Sequence, residues 1–120
     1  MLGLLLVRRD DGRHARVRMF PQMHHRNAAD VVHGGTILGL IDTGMFAGAS
    51  LLKEDGIGRG VTVEVSTHFL GAGDPGRPLD CVVEVAKETG RMVFTRGMVV
   101  QGEDAVASFT GILRKLTPKS

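Results

Sequence analysis

The run "VVHGGTILGLIDTGMFAGASLL", Val31 to Leu52, decides the fold. Its Ile, Leu, Met and Phe content predicts a helix buried in a core. One acid, Asp42, sits near its middle. An ionised carboxylate in an apolar setting costs several kcal/mol or more unless partners compensate, so something must stabilise Asp42. The run is also unusually small-sided, with Gly39, Gly44, Ala47, Gly48 and Ala49. Each interior glycine costs a helix roughly 0.5 to 1 kcal/mol relative to alanine. That expense predicts close approach, either by a sheet wrapped round the helix or by a second helix lying against it.

Gly34 to Leu52 is nearly long enough to cross a bilayer. Asp42 would then lie at the bilayer centre, and no aromatic belt flanks the segment. The rest of the chain reads as an antiparallel sheet that needs a cover, so a core helix of a soluble protein is the expectation, with no membrane partner.

Beyond the helix the period changes from helical to alternating. "VTVEVSTHFL" places Val61, Val63, Val65 and Phe69 on one face and Thr62, Glu64, Ser66 and His68 on the other, as a strand with one covered side should. "LDCVVEVAKE", "MVFTRGMVVQ" and "AVASFTGILRKL" follow. Their joints, "KETGR" and "QGEDA", are short and contain glycine, which favours hairpins; "GAGDPGRP", Gly71 to Pro78, joins the first two strands. Three antiparallel joins in succession predict a meander. Ahead of the helix, "LGLLLVRR" and "RHARVRMF" flank "DDG", another hairpin signal, and "PQMHHRNAAD" is a polar loop. The fold class is α+β: one long central helix wrapped by an antiparallel sheet of about six strands.

With 120 residues the chain is one domain, 1–120. Net charge is +2, bases and acids are interspersed, and aromatic residues make up 4% with no Trp or Tyr. A stacking platform for single-stranded nucleic acid has almost no raw material, so no nucleic-acid partner is expected. The one cysteine, Cys81, excludes an intrachain disulfide and lies in the apolar run "CVVEV", where a buried strand thiol is expected. The N-terminal apolar run is too short for a signal peptide, and the expected location is cytoplasmic. His24, His25 and His33 cluster in sequence without metal-ligand spacing, so neither a metal nor a cofactor is expected. There is no G-x-S-x-G elbow and no phosphate loop ending in Gly-Lys-Ser.

A helix starting near Gly34 and Gly35 offers unpaired N–H groups and a partial positive charge, and glycine lets a ligand atom approach the backbone. Such an end can polarise a carbonyl oxygen. Asn27, then His33-Gly34-Gly35, then Asp42-Thr43 and small residues through Ala49 together resemble the hotdog-fold acyl-CoA thioesterases of the phenylacetic-acid-degradation type. "GVTVEVSTHFL" and "GRMVFTRGMVV" are similar to later strands of those proteins, and the likeness runs from about Leu2 to about Leu116.

The resemblance implies an acyl-CoA thioester as substrate. It implies that the Gly34 N–H, helped by Asn27, polarises the thioester carbonyl, and that Asp42 is general base or nucleophile. It further implies that His33 assists near the sulfur and that Thr62 helps to hold the water. Gly35 and Arg91 are the expected substrate contacts. The chain departs from the family in having Gly71-Ala72-Gly73 where many relatives carry a proline, and in lacking an extra N-terminal helix.

Geometry adds a constraint. Gly34 and Asp42 are eight residues apart, roughly 12 Å along one helix, while an attacking water and an oxyanion donor must each lie about 3 Å from the reacting carbon. Two antiparallel helices about a two-fold axis satisfy both. The expected partner is therefore a second copy, in a homodimer with shared active sites or a dimer of dimers. Two other readings stay open on sequence: a hotdog hydratase or dehydratase, and a non-enzymatic acyl-CoA-binding module. For Asp42 the structural alternative is an ion pair with arginine; for Thr62 it is simply a β-favouring side chain.

Overall fold

In a computed structural model that describes residues 2–53 and 56–116, the glycine-rich run forms one helix, α1 (Gly34–Leu52). It lies across a six-stranded antiparallel sheet built from β1 (Leu5–Arg9), β2 (His14–Met19), β3 (Gly60–Phe69), β4 (Leu79–Glu88), β5 (Met92–Gln101) and β6 (Asp104–Lys115). The strands alternate as the period-2 pattern requires. In β2, Ala15, Val17 and Met19 are buried while His14, Arg16 and Arg18 are only partly so. The core is the layer between that face and α1, where Leu40, Ile41, Met45 and Ala49 pack with Val17, Cys81, Val83, Val93 and Leu113.

The helical glycines have a local cause. A β-carbon at Gly44 would stand 2.9 Å from the Cys81 sulfur, and one at Gly48 would stand 2.9 Å from the Val83 β-carbon. These two glycines therefore set α1 directly on β4. Gly111 does the same from the sheet side, where a β-carbon would fall 2.0 Å from the Met45 sulfur. Of the two forms of close approach that the sequence allowed, these contacts belong to the sheet. Burial pushes the Cys81 thiol well above its ordinary pKa, with the charge of Asp80 adding to the effect, as suits a packing residue and not a nucleophile.

The predicted meander holds only for β4, β5 and β6. The observed order is β1-β2-β4-β5-β6-β3, so β4 pairs with β2 and β5, while β3 pairs only with β6 at the far edge. Leu79, Cys81 and Val83 make β4 the apolar strand that belongs under the helix. The segment Gly71–Pro78 is thus a crossing connection and not a hairpin. Buried Gln101 holds it: its side-chain oxygen accepts from the Asp74 N–H at 2.9 Å, and its amide donates to the Asp74 and Arg77 carbonyls at 2.8 and 3.1 Å.

The face of β3 also needs correcting. Its pairing with β6 slips between Thr62 and Glu64, a β-bulge at Val63. Thr62 lies opposite Leu113 and Val65 opposite Gly111, and those two β6 residues share the helix-facing side. One extra residue therefore puts Thr62 on the same face as Val65, Thr67 and Phe69, where unbroken alternation had separated them. The same slip turns Val61, opposite Arg114, away from the helix, and with Val63 at the bulge these two valines, expected to be covered, are 45% and 53% exposed.

On the other face of the sheet, buried Asp80 accepts from Arg16 Nη1 at 2.8 Å and from Arg18 Nε and Nη2 at 2.7 and 2.9 Å. Burial alone would raise its pKa, but the two guanidinium groups more than offset that and hold it below its ordinary 3.8. Glu88, bridging Lys53 and Lys115, is likewise held below its ordinary 4.5 despite partial burial. A depressed carboxyl contributes stability above its unfolded pKa and loses it as pH falls through the folded one. The melting midpoint should therefore decline as pH falls below 4.5 and then below 3.8. Asp80→Asn should cost roughly 1–3 kcal/mol at neutral pH and flatten that acid-side decline. Midpoints followed against pH by circular dichroism check both; an unchanged slope would remove Asp80 from the explanation.

Candidate active site

His33 starts the helix. Its backbone is extended (φ −61°, ψ 136°), its Nδ1 accepts from the Gly35 N–H at 2.8 Å, and its carbonyl accepts from Thr36 and Ile37 at 3.0 and 3.2 Å. Three first-turn donors are thereby satisfied. Among the described residues no acceptor takes the fourth, the Gly34 N–H. Helix-end chemistry alone treats the two glycines alike; the cap separates them, by committing Gly35 and leaving Gly34. A β-carbon at Gly35 would also crowd the His33 ring, at 3.0 Å from Nδ1. Because Nδ1 accepts, the proton of the neutral His33 ring sits on Nε2.

Asn27 folds its own loop. Its side-chain oxygen accepts from Ala29 and Val31 N–H groups at 2.9 and 3.3 Å, and its N–H donates to the Val31 carbonyl at 2.9 Å. The carboxamide oxygen is occupied, and what Asn27 has left to offer a carbonyl is its NH2. Asp30, at φ 60°, closes this turn with its carboxylate 2.9 Å from Arg26.

Asp42 is not sealed in the core. The helix is half covered, and Asp42 lies on its open side with Gly35, Leu38 and Thr43. Water answers most of the desolvation problem posed by the sequence, and no arginine pairs with Asp42 among the described residues. The Thr62 hydroxyl donates to its Oδ1 at 2.5 Å. The bulge at Val63 makes this contact possible, and nothing in "VTVEV" signals it. On the same side, the Phe69 ring lies 3.5 Å from where a Gly34 β-carbon would stand.

A cavity of about 600 Å³ runs along this open side, lined by Gly35, Thr36, Gly39 and Asp42 of α1 and by His24 and His25. The two histidines come from the loop before the helix, where no spacing marks them as lining the cavity. Arg91 does not join this group within the chain. It sits in the β4–β5 turn, where its carbonyl accepts from Lys115 N–H at 2.7 Å, near the Lys53 end of α1. The helix has nineteen residues, so that end lies roughly 27 Å along the axis from Gly34. A second concavity, of about 520 Å³, opens on the opposite face of the sheet by Arg16, Glu84, Arg96 and Met98. Its guanidinium groups are already paired with carboxylates, and none of the expected site residues lines it. Among the described residues, no group of three or more His, Cys, Asp or Glu could hold a metal ion.

Comparison with known proteins accords with this arrangement. The sequence profile of the thioesterase superfamily matches residues 29–108, which span the helix, Asp42 and β3 to β5. No protein of curated function matches significantly. Among solved structures, a conserved protein of Pseudomonas aeruginosa superposes with a TM-score of 0.83 at 28% identity, over 96% of this chain and 90% of that one. The PaaI protein of the Escherichia coli phenylacetic acid degradation operon gives 0.82 at 22% identity, over 98% and 83%. A hypothetical thioesterase from Streptococcus pneumoniae, solved with coenzyme A, gives 0.80 at 19%, over 98% and 89%.

Proposed function

Because the chain belongs to the thioesterase superfamily and has its hotdog fold, we propose that it hydrolyses acyl-CoA thioesters to the free acid and CoA thiol. The observation that carries this reading is the pair of chemically distinct groups left open on one helix: a Gly34 N–H without an acceptor and an exposed Asp42 carboxylate steadied by Thr62. The solved relative that carries coenzyme A supports the choice of CoA as the thiol.

In the proposed reaction the thioester oxygen accepts from the Gly34 N–H and the Asn27 NH2. Asp42 keeps Oδ1 on Thr62 and takes a proton from water through Oδ2. The water oxygen attacks the carbonyl carbon, and negative charge gathers on the oxygen at the helix start, where the dipole favours it. The carbon–sulfur bond then breaks, and the departing thiolate takes the proton that Asp42 gained from water, while the Nε2–H of His33 donates a hydrogen bond to the sulfur, so that atoms and charge balance. Gly35 shapes the cavity, while Arg91 is left for the CoA phosphates as a contact from a neighbouring subunit.

Reach makes the proposed enzyme a homodimer, in which the Gly34 of one copy works with the Asp42 of the other. The unpaired edge of β3, with its exposed valines, and Leu38, 42% exposed on the open helix face, support such a contact. With one cysteine, buried, the proposed setting is the cytoplasm.

The test is a panel of aryl-, fatty- and enoyl-CoA thioesters, read by thiol release and product analysis. We expect thiol release with at least one acyl class and no hydrated enoyl product. Hydration without thiol release would favour the hydratase reading, and saturable binding without either product would favour the binding module.

A further inference from the structure

Resting on the thioesterase reading, we infer that His25 is a positioning residue for the candidate active site. It is 3% exposed, although it lies in the polar loop between β2 and α1. Its Nδ1 accepts from the Gln22 N–H at 2.7 Å, which closes the single 3-10 turn Met23–His25. Its carbonyl accepts from the His33 N–H at 2.7 Å. The ring packs against His24, with centroids 3.9 Å apart, and both histidines line the cavity that Asp42 lines.

Those contacts make His25 an anchor for two groups at once. Asn27 follows it by two residues. His33, bonded directly to its carbonyl, is the residue before Gly34. At the other end the loop is fixed by Val32, whose N–H donates to the Gly73 carbonyl at 2.9 Å and whose side chain is buried. Between these anchors, Arg26 to Asp30 are exposed. Fixing His25 therefore fixes both the Asn27 amide and the helix start. Because a misplacement of about 1 Å at a reacting group can cost about a hundredfold in rate, this anchor matters to turnover more than to binding.

The test compares three variants. In His25→Asn the side-chain oxygen can occupy the Nδ1 position and accept from Gln22. In His25→Gln the acceptor reaches the Nε2 position instead, and in His25→Ala there is none. We expect kcat to fall about 10- to 100-fold in the Ala and Gln variants with KM changed less than about threefold, and His25→Asn to stand at least about tenfold above His25→Gln. The amide resonances of Gly34 and Gly35 should move in the Ala and Gln variants and hold their native positions in His25→Asn. Native kcat in His25→Ala overturns the inference. So does a loss in all three variants that follows their melting midpoints with no advantage for Asn. Should the native protein release thiol from no acyl-CoA, the thioesterase reading fails on its own, and the Gly34 and Gly35 amides still decide the role of His25.

Discussion

Asp42→Asn is expected to lower kcat by about two to four decades while melting midpoint and subunit stoichiometry stay at native values. The substitution keeps shape and removes the proton-accepting charge. The fold should tolerate it, because Asp42 is exposed on the open side of α1 and its contact with Thr62 survives: a carboxamide oxygen accepts from the hydroxyl as a carboxylate does. Asp80 is the contrasting carboxylate, buried and gripped by Arg16 and Arg18, whose loss should be felt in stability. If Asp42→Asn turned over normally, the general-base and nucleophile roles would both be excluded. If it unfolded, Asp42 would be a structural acid after all.

Gly34→Pro should fold and lose about 10²- to 10³-fold in kcat, the usual consequence of removing one oxyanion donor. Proline is favoured in the first helical turn, where its missing N–H is not needed for the ladder. The residue before it must be extended, and His33, at ψ 136°, already is. A β-carbon at position 34 meets only the Phe69 ring, at ordinary contact distances of 3.5 and 3.7 Å. The substitution therefore deletes the Gly34 N–H and leaves the His33 cap on Gly35 in place. Steady-state kinetics beside a thermal melt separate the two effects; native kcat in a folded Gly34→Pro would take the backbone donor out of the mechanism.

Much of this was readable from residue order. The helix follows from an apolar run bounded by His-Gly-Gly, and the strand segments from alternation. The interval between Gly34 and Asp42 is fixed by helical rise alone. Local pattern could not reveal which strands are neighbours. The alternation in "VTVEVSTHFL" reads the same in a central strand and at an edge, and only pairing with β6 exposes the slip at Val63 that turns Thr62 toward Asp42. The surroundings of Asp42 were hidden for a related reason. A helix with many apolar and small residues suggests cover all round, but here the sheet covers one side and the other stays open. His25 was hidden by its setting, since a buried anchor inside a polar loop has no periodicity to announce it.

The shared site can be tested most directly with a mixed dimer. Asp42→Asn and Gly34→Pro chains, each expected to be at least about a hundredfold slower than native alone, are coexpressed with different tags and purified through both. One of the two sites then joins an intact Gly34 to an intact Asp42 from the other chain, so the heterodimer should work at about half the native rate per dimer. A heterodimer no faster than its two parents would mean that both groups belong to one chain's site, and the two-fold arrangement would be wrong.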